Sequence, residues 1–135
     1  GHPAHDLFIL DRDYDSRNDR TRRPVPVLAL TGGVVVATSP RWAVGSPLRG
    51  GKYVWVYSPP ERAFFYYAHN DSLLVVPGDV VRAGDALAFV GRTGRNAYLR
   101  RSPTHLHLMQ LTLDARNRPQ PADCYPRLRQ ARLLR

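Results

Sequence analysis

Two of the five histidines in this 135-residue chain stand one residue apart, in SPTHLHLMQL at residues 102–111. In a strand, successive side chains alternate between faces, so His105 and His107 project to one side. Leu106 and Leu108 share the opposite face and supply the buried anchor such a strand needs. A second cluster, HPAHD, opens the chain. His2 and Asp6 lie four residues apart, on one face of an extended segment, and Pro3 disfavours a helix that begins before it. His5 is out of phase with Asp6 and reads as a surface or hydrogen-bonding histidine rather than a ligand. His69 stands in YYAHND. A catalytic zinc site commonly takes three protein ligands, histidines plus a carboxylate, and leaves the fourth position to water. His2, Asp6 and one of His105 or His107 meet that count. The other histidine of the pair, with His69, is then free to act as general base or to stabilise an oxyanion. The plainer alternative is an edge strand with two solvated histidines.

The elements that must position these groups read as β. DLFIL (6–10) is a short strand, and the charged stretch DRDYDSRNDRTRRP (11–24) has too few apolar residues to be core and reads as a loop. VPVLALTGGVVVAT (25–38) is two strands broken by a turn at Gly32-Gly33. In GGKYVWVYSP (50–59), Tyr53, Trp55 and Tyr57 alternate with Val54 and Val56, and RAFFYYAH (62–69) follows a Pro59-Pro60 turn, which predicts a hairpin. Phe64, Phe65, Tyr66, Tyr67 and Tyr98 are candidates for groove walls, set against alternate core and surface positions on that hairpin. Between residues 73 and 94, short apolar runs are closed by Pro77-Gly78-Asp79, Ala83-Gly84-Asp85 and Gly91. Strands this short argue for a compact all-β barrel or sandwich. Residues 114–135 are Pro- and Arg-rich and end in either a short basic helix or a frayed tail.

The length fits one domain. Of 20 basic residues only Lys52 is lysine, against 11 acids, giving a formal net charge of +9. Such a surface prefers anionic partners, unless the arginines reflect composition alone. The single cysteine, Cys124, excludes an intrachain disulfide and any Cys-pair zinc site. No stretch approaches the roughly 18–20 apolar residues that span a bilayer, and the N-terminus lacks a basic-then-apolar signal. The expectation is a domain of a longer, exported precursor.

HPAHD, YAHND, VVPGDVVRAGDALAFVGRTG and THLHL, in that order, resemble the lysostaphin/LytM-type zinc endopeptidases, which cleave peptide cross-links of bacterial peptidoglycan; the match covers most of residues 1–113. The resemblance implies a LytM-type antiparallel β-sandwich or barrel-like sheet as core, with 114–135 as a basic extension. It implies Zn2+ held by His2, Asp6 and His107, with His69 and His105 as the catalytic imidazoles. It further implies a metal-activated water as nucleophile, peptidoglycan peptide as substrate and an extracytoplasmic location. Many members have His-x-Gly-x-Asp where this chain carries Ala4, a difference a strand tolerates. Some relatives have lost ligands and act as cell-wall-binding or amidase-activating modules, against which the five residues present here argue. A nucleic-acid binder ranks last, because the basic residues are scattered and no recognition motif is present. The Gly-Asp turns resemble those of biotinyl or lipoyl carriers, but no lysine lies between those strands.

Overall fold

The structure is a computed structural model that describes residues 4–131, so His2 and the last four residues lie outside it. The elements run β1 (Ala4–Phe8), β2 (Pro26–Leu28), β3 (Gly33–Ser39), β4 (Lys52–Ser58), β5 (Ala63–Leu73), β6 (Val80–Val81), β7 (Ala86–Val90), β8 (His105–Leu113), β9 (Pro119–Ala122) and α1 (Tyr125–Gln130). No helix among the described residues is long and apolar enough to cross a membrane.

The alternation of aromatic and β-branched residues in β4 and β5 produces the expected hairpin, with Trp55 opposite Tyr66 and Val56 opposite Phe65. Val54, Val56, Phe65 and Tyr67 turn into the core, while Tyr53, Trp55, Tyr57, Phe64 and Tyr66 lie half-buried on the other face. Phe65 and Tyr67 are therefore core residues, not groove walls. The outer aromatics pack against each other, Trp55 with Tyr66 at 4.5 Å between ring centroids and Tyr57 with Phe64 at 4.7 Å.

One antiparallel sheet follows in the order β1-β8-β5-β4-β3-β6, with β7 on the far end of β5, β2 on β7 and β9 on the far end of β8. The histidine strand β8 is thus interior, flanked by β1 and β5, rather than an edge. Leu106 and Leu108 are buried as its alternation requires, joining Val27, Val35, Leu87 and Val90 in the core. The strands flanking Gly32-Gly33 diverge instead of pairing with each other, β2 to β7 and β3 to β4 and β6. A Cβ at Gly33 would lie 2.2 Å from the Tyr57 carbonyl oxygen, so the close approach of β3 to β4 needs a glycine there.

The Gly-Asp motifs are turns. Asp79 and Asp85 each accept a backbone N–H three residues upstream, from Val76 at 2.9 Å and Arg82 at 2.8 Å, which is the bond that makes Asp a turn residue. In the polar loop 11–24, Asp11 is buried and ties the loop to the start of β8. It accepts the Thr104 hydroxyl at 2.7 Å and the Ser16 amide at 2.8 Å.

The segment after Leu113 extends the sheet at one edge. β9 pairs with β8, Cys124 is buried in the core, and Leu128 packs against that core. Arg127 donates to Glu61, which also accepts the Thr31 hydroxyl. Removing residues 114–135 would expose the outer side of β8 and the surface under Cys124 and Leu128. We expect that truncation to lower the melting temperature by 10 °C or more, or to abolish the cooperative transition seen by circular dichroism. An unchanged transition would show that 114–131 only rests on the sheet.

Candidate functional site

Strand register builds the first half of the site. In the β1–β8 ladder Asp6 lies directly opposite His107, and Asp6 Oδ1 is 3.0 Å from His107 Nδ1. Two residues earlier on the same face of β8, His105 brings its Nε2 to 3.7 Å from that oxygen. His105 is buried, and Phe8, opposite it on β1, covers its ring at 5.5 Å.

His69 reaches the same place by breaking the strand rule. Ala68 on β5 lies opposite His107, so regular alternation would aim the next side chain at the other face. Instead the β4–β5 register shifts between Lys52 and Val54, and His69 adopts φ 67°. Its ring then stands 5.0 Å from that of His105 and 5.8 Å from that of His107. Left-handed backbone is costly for a residue with a Cβ and persists only where surroundings over-determine it. Here the His69 amide donates to Gly50 O at 2.8 Å, while Asn70 Nδ2 donates to Tyr67 O and Lys52 O. The Thr93 hydroxyl donates to Asn70 O at 2.6 Å and accepts the Lys52 amide at 2.9 Å.

The hydrogen bonds sort the imidazoles into two kinds. His69 Nδ1 faces the carbonyl of Thr93 at 2.8 Å, and His105 Nδ1 faces that of Pro103 at 2.7 Å. A carbonyl only accepts, so both rings carry the proton on Nδ1 and, when neutral, a lone pair on Nε2. His107 differs, because its Nδ1 meets a carboxylate oxygen. Two ligand atoms at about 2.0–2.1 Å from a tetrahedral zinc must lie about 3.3 Å apart. The 3.0 Å between Asp6 Oδ1 and His107 Nδ1 fits such a pair. Burial pushes the His69 imidazole down to about 4, reinforced by His105 and His107 and opposed by the Thr93 bond and Asp6.

Loops 40–51 and 91–104 wall this cluster and touch through Trp42 and Tyr98, whose rings are 5.6 Å apart. Arg92 staples the second loop from within, donating to the Leu99 and Ser102 carbonyls and the Thr104 hydroxyl. The floor carries Tyr66, 6.1 Å from the His107 ring.

Of the residues singled out from sequence, the structure brings together Asp6, His69, His105 and His107; His2 lies outside the described residues. His5 points to the opposite face, where Nε2 is 3.0 Å from Asp123 and the ring stacks on Tyr125. Thr93 and Asn70 were not anticipated, and the left-handed His69 that they support leaves no mark in a strand pattern. Nor was the convergence of Asp11, Asp13 and Asp15, whose carboxylates lie within 4.8 Å of one another in the polar loop.

Residues 18–119 match the profile described as Peptidase family M23, a span that includes His69, His105 and His107. A LytM from Ruminococcus gnavus, assigned as a glycyl-glycine endopeptidase, is 34% identical with a TM-score of 0.61 over 77% of this chain and 39% of that one. LytU is 27% identical with a TM-score of 0.61 over 79% of this chain and 66% of that one. The catalytic domain of the antimicrobial peptidase lysostaphin from Staphylococcus simulans shares the fold at 24% identity, with a TM-score of 0.59 over 78% of this chain and 71% of that one. The chain thus spans well under half of the Ruminococcus protein and about two thirds of LytU.

Gly94, at φ 129°, sits where a Cβ would come 2.4 Å from Arg49 O and 2.7 Å from His69 Nδ1. Gly94→Ala should therefore cost about 1–3 kcal/mol in denaturant unfolding and disturb the Nδ1–H signature of His69 in 15N NMR. A neutral effect on both would show that the loop yields freely. In metal-free protein, His69 should remain neutral at pH 5. Because its folded value lies below the ordinary 6.5, the unfolded chain binds more protons between the two. The stability it contributes is present above pH 6.5 and is lost as pH falls towards 4. His69→Gln should flatten that part of the pH–stability curve, and an unchanged curve would contradict the burial argument.

Proposed function

The chain belongs to peptidase family M23, and from that membership we propose that it is a zinc-dependent endopeptidase hydrolysing the peptide cross-links of bacterial peptidoglycan, outside the cytoplasm. The observation that carries this reading is the presence of two kinds of imidazole on one face. His107 Nδ1 is turned to Asp6, whereas His69 and His105 have Nδ1 tied to carbonyls and, among the described residues, no hydrogen bond at Nε2. Asp6 and His107 would hold zinc, with His2 as the third ligand the sequence supplies. When bound, zinc contributes Lewis acidity, polarising a scissile carbonyl and lowering the pKa of water.

The chain's own groups do the rest. His69, kept neutral by burial, accepts at Nε2 the proton of the attacking water. Once protonated, an imidazole donates from Nε2, so it can steady the oxyanion and then return the proton to the leaving amine. His105 Nε2, beside the same carboxylate, is the second such position. Phe8 and the loop bonded through Pro103 O keep water from competing for its ring. The relatives' activities on glycyl-glycine bonds or as antimicrobial peptidases agree with a peptide-bond substrate in the cell wall.

Zinc content and release from peptidoglycan sacculi, measured on the same batches, test the assignment. Asp6→Ala and His107→Ala should lose most of the zinc. His69→Ala and His105→Ala should keep zinc and fold yet lose turnover by about 10²-fold or more. Stoichiometric zinc in both ligand variants would overturn the ligand set. Undiminished release by both imidazole variants would end the peptidase reading, as would a zinc-loaded wild type that binds sacculi without cutting them.

A further inference from the structure

The segment 93–103 begins and ends on the two carbonyls that hold the catalytic imidazoles, Thr93 O for His69 and Pro103 O for His105. Whatever stands on that segment borders the place where a substrate must lie. It carries Arg95, Arg100 and Arg101, all exposed. The facing loop, 40–51, adds exposed Arg41 and Arg49. The two loops are held together at this point. The Arg95 amide donates to Leu48 O at 3.1 Å, and a Cβ on Gly94 would touch both Arg49 O and His69 Nδ1.

Neither loop contains an aspartate or glutamate. Among the described residues, no side chain of Arg41, Arg49, Arg95, Arg100 or Arg101 pairs with an acid. Arginines elsewhere do find partners, as Arg127 does with Glu61 and Arg118 with Asp114. Within the same loop, Arg92 is spent on backbone carbonyls and on the Tyr14 ring. Among the described residues the remaining guanidiniums are therefore uncompensated, and the acid of the site, Asp6, is the one the zinc reading assigns to the metal. A guanidinium is a planar fork of donors that matches a carboxylate bidentately. A neutral glycyl-glycine bond, the target assigned to the Ruminococcus relative, would leave all of them idle.

We propose that the arginines of loop 91–104, seconded by those of loop 40–51, recognise free carboxylates on the peptide beside the scissile bond, making the substrate class an acidic peptide. This rests on the peptidase reading for the place of cleavage, but its binding test does not need turnover. Opposite charge gathered at a cleft also raises the encounter rate of such a ligand, in a salt-dependent way.

The probe is a set of uncross-linked muropeptides, which offer nothing to cleave, compared with the same fragments after carbodiimide amidation of their carboxylates. Binding to the zinc-loaded full chain is read by isothermal titration calorimetry. Native fragments should bind at least tenfold more tightly than amidated ones, and Arg100→Gln/Arg101→Gln should erase most of that difference. Arg82→Gln/Arg116→Gln removes the same net charge from exposed turns elsewhere and should preserve it. Equal binding of native and amidated fragments, equal losses in the two double variants, or tighter binding of inorganic polyphosphate than of native fragments would each overturn the proposal. Selective binding of native fragments by a protein that releases nothing from sacculi would uphold the acidic-peptide site while the peptidase reading falls.

Discussion

The site depends on the period of a single strand. β8 alternates Leu106 and Leu108 into the core with His105 and His107 onto the open face, and both neighbours lock that phase. On one side β1 sets Asp6 against His107; on the other β5 sets Ala68 against it. A slip of one residue would turn both histidines towards the core and both leucines away from it, so hydrophobic burial fixes the site geometry directly. The same alternation in β4 and β5 puts Val54, Val56, Phe65 and Tyr67 inside and an aromatic floor outside. Core and site are two faces of one pattern.

That dependence explains what could be read without coordinates. Period two is visible in the sequence, so the sharing of a face by His105 and His107, the β4–β5 hairpin and the exclusion of His5 from the Asp6 face followed from it. Asp79 and Asp85 could be read as turn residues, because the turn is made by their own side chains. What escaped were features made by contacts distant in sequence. His69 reaches the cluster only through a left-handed residue at a register shift, held by Thr93 some two dozen residues on. β9 is rich in proline, which disguises it as tail, yet at a sheet edge its missing N–H groups cost little. The interior place of β8 was hidden for the same reason, since both its partners are remote in the chain.

The loops complete a division of labour. The sheet supplies positions, and the loops supply hydrogen bonds and charge. Thr93 and Pro103 orient the imidazoles through carbonyls, which sets the tautomer that a proton acceptor needs, and the arginines between them are exposed and have no acidic partner among the described residues. The chain belongs to peptidase family M23, a family related to peptidoglycan endopeptidases, and it shares the fold of its relatives. The differences are expected where the framework leaves freedom, in the composition of loops 40–51 and 91–104.

The central proposal is that one face of the sheet divides metal binding from proton transfer, His107 with Asp6 for the first and His105 with His69 for the second. Anomalous diffraction at the zinc edge from crystals of the zinc-loaded protein tests it most directly. The account predicts one peak at bonding distance from Asp6 Oδ1 and His107 Nδ1, with the Nδ1 atoms of His69 and His105 still on the Thr93 and Pro103 carbonyls and both Nε2 atoms unligated. A peak bonded to His105 or His69, or one confined to Asp11, Asp13 and Asp15, would contradict it.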